Sequence, residues 1–574
     1  MASKYAKSAV SVLLLLCLLL SGSFVFAAED SDPVSRFRDV PENAWYREAV
    51  RCTVEKGYFS GVSDDRFDPA GTMTRGMVAA VLWRIAGSPE PSAAASFPDV
   101  DPKRYYAKPV AWAYENGVVS GTSPEAFSPN ERITRQQMAA MLCRFAELRG
   151  CGVDADPDSL RSFPDQDRIS AYAVEPLAWA VHCRLLRGRA KEGISWLNPR
   201  ESLTRAEAAV MIQRFDENVL EGLPVQIVPP EEAEDPEDSL TLWINGVEAA
   251  ESPVWAGEAY VRAATLADAL GGTLCIEENI YLELCGHRAF LSQKTAAAIF
   301  DGTWTELTVP CRYRAGDWYV PALLLPELWD FQTLSDEECH QIFYSKTVRN
   351  AEVPAGKRVV ILRYHCVTDD IWGTDEEGFI SPAVLEEQIV KMKELGCTFL
   401  TFEDLDRVDE YELPVLLTFD DGYRDNYTDL FPILQRQNVK ATVFMITKYI
   451  NTSRSLTAEQ LRELSDSGLV SIQSHSRNHK DLTTFTEEEL RADFETSRLA
   501  LARITGKIPF VLCYPRGMYN EFVESVAADT YEFGILANTA AYLTGTDPYA
   551  VSRFGIHRST TEEEWKAFLF PEEP

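Results

Sequence analysis

Two adjacent carboxylates and a pair of histidines are the side chains in this sequence best arranged to do chemistry. Residues 413–422 read Leu-Pro-Val-Leu-Leu-Thr-Phe-Asp-Asp-Gly. The apolar, partly β-branched run Val415 to Phe419 predicts a buried parallel strand. Asp420 and Asp421 then stand at its C-terminal end, where α/β folds gather their reactive groups. Gly422 lets the chain turn away sharply. Burying two ionised carboxylates side by side is costly unless a cation lies beside them. A second predicted strand, Leu469 to Ser474, runs into His475-Ser-Arg-Asn-His479. The chain has only 7 histidines in 574 residues, and two of them at i and i+4 past a strand end can reach one ion. Two imidazoles and a carboxylate leave positions open for water and substrate, which is the layout of a catalytic metal site. Alone, Asp-Asp-Gly reads as a solvated turn and His-x-x-x-His as a surface pair. In this order, each at a strand end, they point to a metal site with Asp421, His475 and His479 as ligands.

Thr-Phe-Asp-Asp-Gly (418–422) followed by His-Ser-x-x-His (475–479) resembles the polysaccharide deacetylase (NodB homology) family, carbohydrate esterase family 4. Val359-Val-Ile-Leu-Arg-Tyr-His365 is similar to the family's opening strand, and Cys513-Tyr-Pro-Arg-Gly-Met-Tyr-Asn520 to its third motif. The resemblance spans about 355–570. It implies a distorted (β/α) barrel and metal-dependent removal of N- or O-acetyl groups from a polysaccharide. Carried over residue by residue, it makes Asp421, His475 and His479 ligands of a divalent metal, Zn²⁺ by expectation. Asp420 becomes the base that takes a proton from water. The backbone N–H of Arg516 is aimed at the oxyanion, and His557 is the general acid, with a structural role for that histidine equally open. His365 lines the site or belongs to the core. Two positions depart from the family: Cys513 stands where many members have an arginine that orients the base, and the fourth motif is not recognisable in Tyr531–Tyr542.

Alternating apolar strands and amphipathic helices must carry these groups. Strands are predicted at 359–363, 415–419, 441–446 and 469–474, and helices at 381–396 and 427–437. That alternation supports a parallel barrel with its chemistry at the strand ends.

Upstream the chain repeats itself. Phe37-Arg-Asp-Val40, Phe97-Pro-Asp-Val100 and Phe163-Pro-Asp165 open three units, each closing on Thr-Arg and an apolar-striped helix at Thr74, Thr134 and Thr204. Threonine reads as the N-cap, with Gln137 or Glu207 completing a capping box in the second and third units. The arginine after each cap lies beside a helix N-terminus, where amides, dipole and cation together suit an anion. The units resemble S-layer homology repeats, at 35–87, 95–150 and 161–216, read as all-α. That resemblance implies anchoring to a pyruvylated secondary cell-wall polymer, with Arg75, Arg135 and Arg205 contacting its acidic groups. Pairing of these arginines with neighbouring carboxylates is the plainer alternative. The third unit departs most, with an insertion near 187–193.

Residues 220–238 are rich in proline and acid, an extended linker. Residues 240–331 read as a small α+β module that resembles the stalk domain named after the N-terminus of copper amine oxidases, a spacer with no copper implied.

The net charge of −33 disfavours nucleic acid and anionic membranes as partners. Residues 1–27 read as a secretory signal, with Lys4 and Lys7 ahead of an apolar core, so no stable transmembrane span is expected after cleavage. The cysteines are scattered; Cys275 and Cys285 could pair across a hairpin, and many others suit apolar faces. The expectation is a multidomain, secreted protein of a bacterial cell wall: all-α repeats, a small α+β module and a C-terminal α/β barrel that deacetylates a wall glycan such as peptidoglycan or poly-N-acetylglucosamine. The alternative is a catalytically inactive glycan-binding protein of the envelope.

Overall fold

The structure is a computed structural model that describes residues 32–93, 97–222, 230–372 and 376–571. The signal read at 1–27 and the linker residues 223–229 lie outside them. The chain separates into two compact units, Met1–Val228 with Cys275–Asn279, and Pro229–Leu274 with Ile280–Pro574.

In the first unit, three similar helix pairs share one core. Arg47–Glu55, Ala107–Glu115 and Val174–His182 are the aromatic-bearing helices. Arg75–Ile85, Arg135–Leu148 and Arg205–Phe215 are the capped ones. Thr74 accepts the Met77 N–H, and Thr134–Gln137 and Thr204–Glu207 form the two predicted capping boxes. The opening aspartate of each unit has a local task. Asp39 accepts the Phe67 and Asp68 amides, Asp99 those of Phe127 and Ser128, and Asp165 those of Leu197 and Asn198, all at 2.7–3.0 Å. These bonds hold a turn in which Asp68, Ser128 and Asn198 take left-handed φ of 60°, 58° and 52°. The three units also close on one another. Ile133 N–H donates to Met73 O, Leu203 N–H to Ile133 O, and Met73 N–H to Leu203 O, at 3.0–3.1 Å.

The repeat region is not all-α. Arg189–Lys191 and Ile194–Trp196 pair as an antiparallel hairpin in the third unit. Its turn is Glu192-Gly193, both at positive φ (53° and 83°), the backbone that a two-residue hairpin turn demands. The insertion noted in the sequence thus folds as strand, and short 3₁₀ turns fill much of the remaining linkage.

The second unit starts with a mostly β module. A seven-stranded sheet contains Asp238–Ile244, Val247–Trp255 and Glu258–Arg262. A smaller antiparallel sheet includes His287–Ser292, Ala297–Phe300 and Thr303–Glu306. Helices are few and short, Ala263–Ala269 and Leu324–Trp329. The larger sheet continues past Phe331: Gln341–Ser345 runs parallel to Thr241–Ile244 and pairs with Gln332–Asp336. The module is seated on the following domain. Trp243 and Phe343 pack with Ala502 and Ile508, and Arg503 grips Asp336 at 2.5 and 2.8 Å. Every described cysteine is free, Cys275 and Cys285 included.

The C-terminal domain is built on a parallel sheet. Arg358–Tyr364, Leu413–Phe419, Ala441–Met445, Val470–Ser474, Val511–Cys513 and Phe533–Ile535 follow one another across it. Cys397–Leu400 pairs with the first half of Leu413–Phe419. Beyond the last strand, Val551 bridges Ile535 while Phe554 and Gly555 pair with Leu362 and Arg363. One extended stretch therefore joins the first strand to the last, as closure of a barrel requires. Helices such as Pro382–Glu394, Phe431–Gln437 and Glu487–Thr505 bury Leu385, Ile389, Leu434 and Leu501 against the outside of the strands. The strands end together: Tyr364 is level with Phe419, Met445 with Ser474, and Cys513 with Ile535.

Candidate active site

Because the strand ends are in register, the loops leaving Phe419, Ser474 and Cys513 share one edge of the barrel. Asp421 leaves its strand at φ 76° and Gly422 follows at 71°. A Cβ on Gly422 would stand 2.1 Å from the Met445 sulfur, so only glycine fits this close approach. On the next loop Ser476 and His479 take φ of 59° and 55°, which curls the five residues so that both imidazoles turn inward. The loop is held by the Ser476 Oγ, which accepts the His479 amide at 3.1 Å, and by Asp493, which accepts the Arg477 amide at 2.9 Å. Non-glycine residues in this region are strained, and such strain concentrates at functional sites.

The result is a compact cluster. His475 Nε2 lies 3.6 Å and His479 Nε2 3.7 Å from Asp421 Oδ1, and the three ligand atoms lie within 4.8 Å of one another. His475 Nδ1–H donates to the Cys513 carbonyl at 2.7 Å, which fixes the ring and directs Nε2 toward Asp421. Burial works against charge on His475, yet Cys513, Asp420 and Asp421 outweigh it and favour a positive charge at this ring. Burial and the neighbouring His475 hold His479 below the ordinary histidine range. A pocket that calls for positive charge and offers two imidazole nitrogens and a carboxylate oxygen suits a divalent ion.

Asp420 lies beside this cluster and is 4% exposed. Arg553 grips it in a bidentate pair, Nη1 to Oδ1 at 2.7 Å and Nη2 to Oδ2 at 2.9 Å. Burial pushes the Asp420 carboxyl upward, but the guanidinium overrides it and holds the group well below the usual carboxylate range. Arg553 is itself fixed by the Leu536 carbonyl at 2.9 Å and the Thr418 hydroxyl at 3.0 Å. The Cys513 sulfur lies 3.2 Å from Arg553 Nη2 and 3.7 Å from Asp420 Oδ2. The guanidinium beside Asp420 thus comes from Arg553, just ahead of Phe554–Gly555, a residue that carries no signal of this contact in the sequence. Asp425 and Asn426 are further unforeseen supports: Asp425 accepts the Val367 amide at 2.8 Å, and Asn426 donates to the His365 carbonyl at 3.1 Å.

The remaining site candidates are more spread out. Arg516 sits in the tight turn Pro515–Gly517 at φ 58°, with its guanidinium near enough to His479 to disfavour charge there. His365 faces the two aspartates and is kept mostly neutral by burial. His557 is exposed, beyond the Phe554–Gly555 pairing; its electrostatic neighbour is Glu377. The three repeat arginines are buried, at 4–7% exposure. Arg75 donates to Phe127 O and Ser120 O, Arg135 to Leu197 O, and Arg205 to Phe67 O and Ser60 O, at 2.8–2.9 Å. Each bonds the turn of the next unit in a ring, so its first task is structural.

Comparison with known proteins finds family matches in three stretches of the chain. Residues 408–532 match the polysaccharide deacetylase family, and 36–76 and 96–139 match the S-layer homology domain. The chain therefore carries a C-terminal polysaccharide deacetylase domain and N-terminal S-layer homology domains. It is 33% identical to YxkH of Bacillus subtilis over 156 residues, 27% of this chain and 56% of that protein. It is 32% identical to the peptidoglycan-N-acetylmuramic acid deacetylase PdaA of the same species over 114 residues, 20% of this chain and 41% of that one. The surface-layer 125 kDa protein of Lysinibacillus sphaericus is 31% identical over 177 residues, 31% of this chain and 14% of that protein. The chain spans about half the length of YxkH and less of the other two. Among solved structures, the Streptococcus pyogenes deacetylase PplD in complex with acetate aligns at a TM-score of 0.35 and 25% identity, covering 38% of this chain and 100% of that one.

Proposed function

We propose that this protein is a metal-dependent deacetylase of a cell-wall glycan, held at the bacterial surface by its repeats. The observation that carries the reading is the convergence of Asp421, His475 and His479 beside an ionised Asp420, inside the region that matches the deacetylase family. N-acetylated amino sugars of peptidoglycan or poly-N-acetylglucosamine are the substrate class that fits a wall location, O-acetyl groups being the second. The similarity to PdaA, named for peptidoglycan, supports this choice.

Asp421, His475 and His479 would hold the ion, Zn²⁺ in the first instance. When bound, such an ion acidifies a water and polarises a carbonyl. The protein's own groups do the rest. Arg553 favours the charged form of Asp420, and the carboxylate is placed to accept the proton of the attacking water. His475 and Asp420 are both pinned by hydrogen bonds that need no rearrangement, a preorganised setting for charge that develops late. The Arg516 amide, on its left-handed turn, is the candidate donor to the oxyanion. His557, at the exposed rim, is the candidate acid for a departing amine.

The anchoring reading is supported by exposed groups next to the buried arginines. Tyr105 is 58% and Tyr172 51% exposed. Tyr105 lies in the field of Arg84 and Arg205, and Tyr172 in that of Arg75 and Arg144. An aromatic face beside paired guanidinium groups suits a sugar that carries a carboxylate. The S-layer relatives support the same location. Among the described residues, no helix is long and apolar enough to cross a membrane.

The test is acetate release from acetylated chito-oligosaccharides and from peptidoglycan, together with metal analysis of the full chain. About one zinc per chain and acetate release abolished in Asp420→Asn are expected. Neither zinc nor acetate from several glycans would leave the inactive glycan binder as the better account.

A further inference from the structure

Trp372 is a half-buried aromatic on the loop that leaves the first barrel strand. That loop runs out from Cys366–Val367 and returns at Phe379–Ile380, and the two short strands pair in parallel. The indole stands edge-on to Phe379, with ring centroids 5.1 Å apart at 86°, and to Tyr423, 5.1 Å apart at 65°. Phe379 is buried, so it anchors the indole. Tyr423 follows the candidate ligand Asp421 by two residues, and Asp421 is the foremost charge acting on its hydroxyl. One ring therefore links the indole to the candidate metal cluster.

A cation covers the face of that indole. Arg454 Cζ lies 4.4 Å from the ring centroid, a stacking distance for a guanidinium. The arginine belongs to a loop beyond Ala441–Met445, and this loop is tied to the one that bears Asp421. Tyr423 bridges Ser455. The Arg424 amide donates to the Arg454 carbonyl at 2.8 Å, and the Leu456 amide to that of Gly422 at 3.0 Å. The Arg424 guanidinium is used up locally, donating to Thr452 O at 2.9 Å and Ser455 O at 3.4 Å. Arg454 differs: it is exposed, and among the described residues no carboxylate pairs with it. Stacking fixes the guanidinium plane and leaves its N–H groups unspent, the arrangement that takes a carboxylate through two parallel bonds.

We propose that Arg454, stacked on Trp372, is a specificity-determining contact that selects a glycan bearing a carboxylate on the sugar next to the one that loses its acetyl group. Two ring contacts separate the guanidinium from Asp421, so a neighbouring sugar of the strand, not the reacting one, would reach it. Peptidoglycan strands offer such a carboxylate in the lactyl ether of every second sugar, and poly-N-acetylglucosamine offers none. The proposal rests on the deacetylase reading for the place of the reacting sugar, and it chooses between the two substrate classes named there.

The experiment compares acetate release by the full chain from two glycans: peptide-free peptidoglycan strands, and the same strands with their carboxylates converted to amides. The parent is expected to favour the charged strands by about tenfold in kcat/KM, the worth of a charged hydrogen-bonded pair, and to do so through KM. Arg454→Gln should bring that ratio close to one. Arg454→Lys, which keeps the charge and loses the flat fork, should fall between, and Trp372→Leu should lower the ratio with the arginine still present. Calorimetric titration of the Asp420→Asn full chain with the same two glycans reads recognition without turnover. Tighter binding of the charged strands is expected there, and its loss when Arg454→Gln is added. If the parent releases acetate from neither glycan, the deacetylase reading fails and the titration alone decides the role of Arg454. Equal binding of the two glycans, or a preference that Arg454→Gln leaves intact, overturns the proposal.

Discussion

Arg553 closes on Asp420 across 133 residues of sequence, with 2.7 and 2.9 Å between the paired atoms. Both groups are buried, so the pair is a unit: removing one partner leaves an uncompensated charge, at a cost of about 3–5 kcal/mol. Arg553→Gln should therefore lower kcat/KM by about 100-fold or more while zinc content stays near that of the parent. The sign of the pH effect follows from the depressed carboxyl. In the parent, the stabilisation from ionised Asp420 is present above its unfolded value of 3.8 and is lost only as pH falls through the lower folded value. Without the guanidinium, burial is opposed only by the neighbouring His475 and His365, and the carboxyl rises. The acid limb of the variant's pH–rate profile should move toward neutrality. An unshifted limb would separate Arg553 from the base.

Asp425 shows the opposite shift. Burial pushes its carboxyl up to about 6 from 3.8, against the Val367 amide that lowers it. The folded state then binds more protons than the unfolded one between these values, so stability falls as pH rises through that window. Asp425→Asn keeps an oxygen for the Val367 amide and removes the charge. It should gain about 3 kcal/mol at pH 7 and little at pH 4, read from denaturant midpoints at the two pH values. An equal gain at both would show that charge is not the cause.

Gly422 is the tightest backbone position near the candidate ligands. Gly422→Ala adds a carbon 2.1 Å from the Met445 sulfur at φ 71°. A loss of at least about 2 kcal/mol is expected from strain and overpacking together, with weakened zinc binding because Asp421 is displaced. A variant with the parent's Tm and zinc affinity would show that the turn relaxes freely.

In the repeats, stability and wall binding should separate by residue. Arg75→Gln removes buried bonds to Phe127 and Ser120 and should lower the Tm as well as sedimentation with purified cell walls. Tyr172→Ala and Arg144→Gln change exposed or half-buried groups and should lower binding several-fold with the Tm kept. Removal of ketal pyruvate from the walls should erase the difference. If binding follows the Tm throughout, these side chains have no direct contact with the polymer.

Much of the candidate site was legible because its signals are local. Asp420-Asp421-Gly422 and His475–His479 each advertise themselves at a strand end, and the capping boxes at Thr134 and Thr204 are four-residue patterns. Arg553 is not legible, since nothing near it in sequence says that its guanidinium turns back to Asp420, and His557 in the same stretch carries the stronger chemical signal. The repeats read as all-α from sequence because the hairpin at 189–196 hides in an insertion with only Gly193 as its mark. The sequence pattern of the module stops at Phe331, whereas Gln341–Ser345 joins its sheet by a parallel, non-local pairing that local alternation does not reveal.

The amide triangle through Met73, Ile133 and Leu203 has a consequence for how the repeat region tolerates deletion. Stacked arrays can lose a terminal member and keep the rest, because each member leans only on its neighbours. Here every member is at once donor and acceptor in a circle of three, so none is terminal. Excising any one strands an N–H and a C=O on the two survivors, and the repeat region should persist whole or collapse whole.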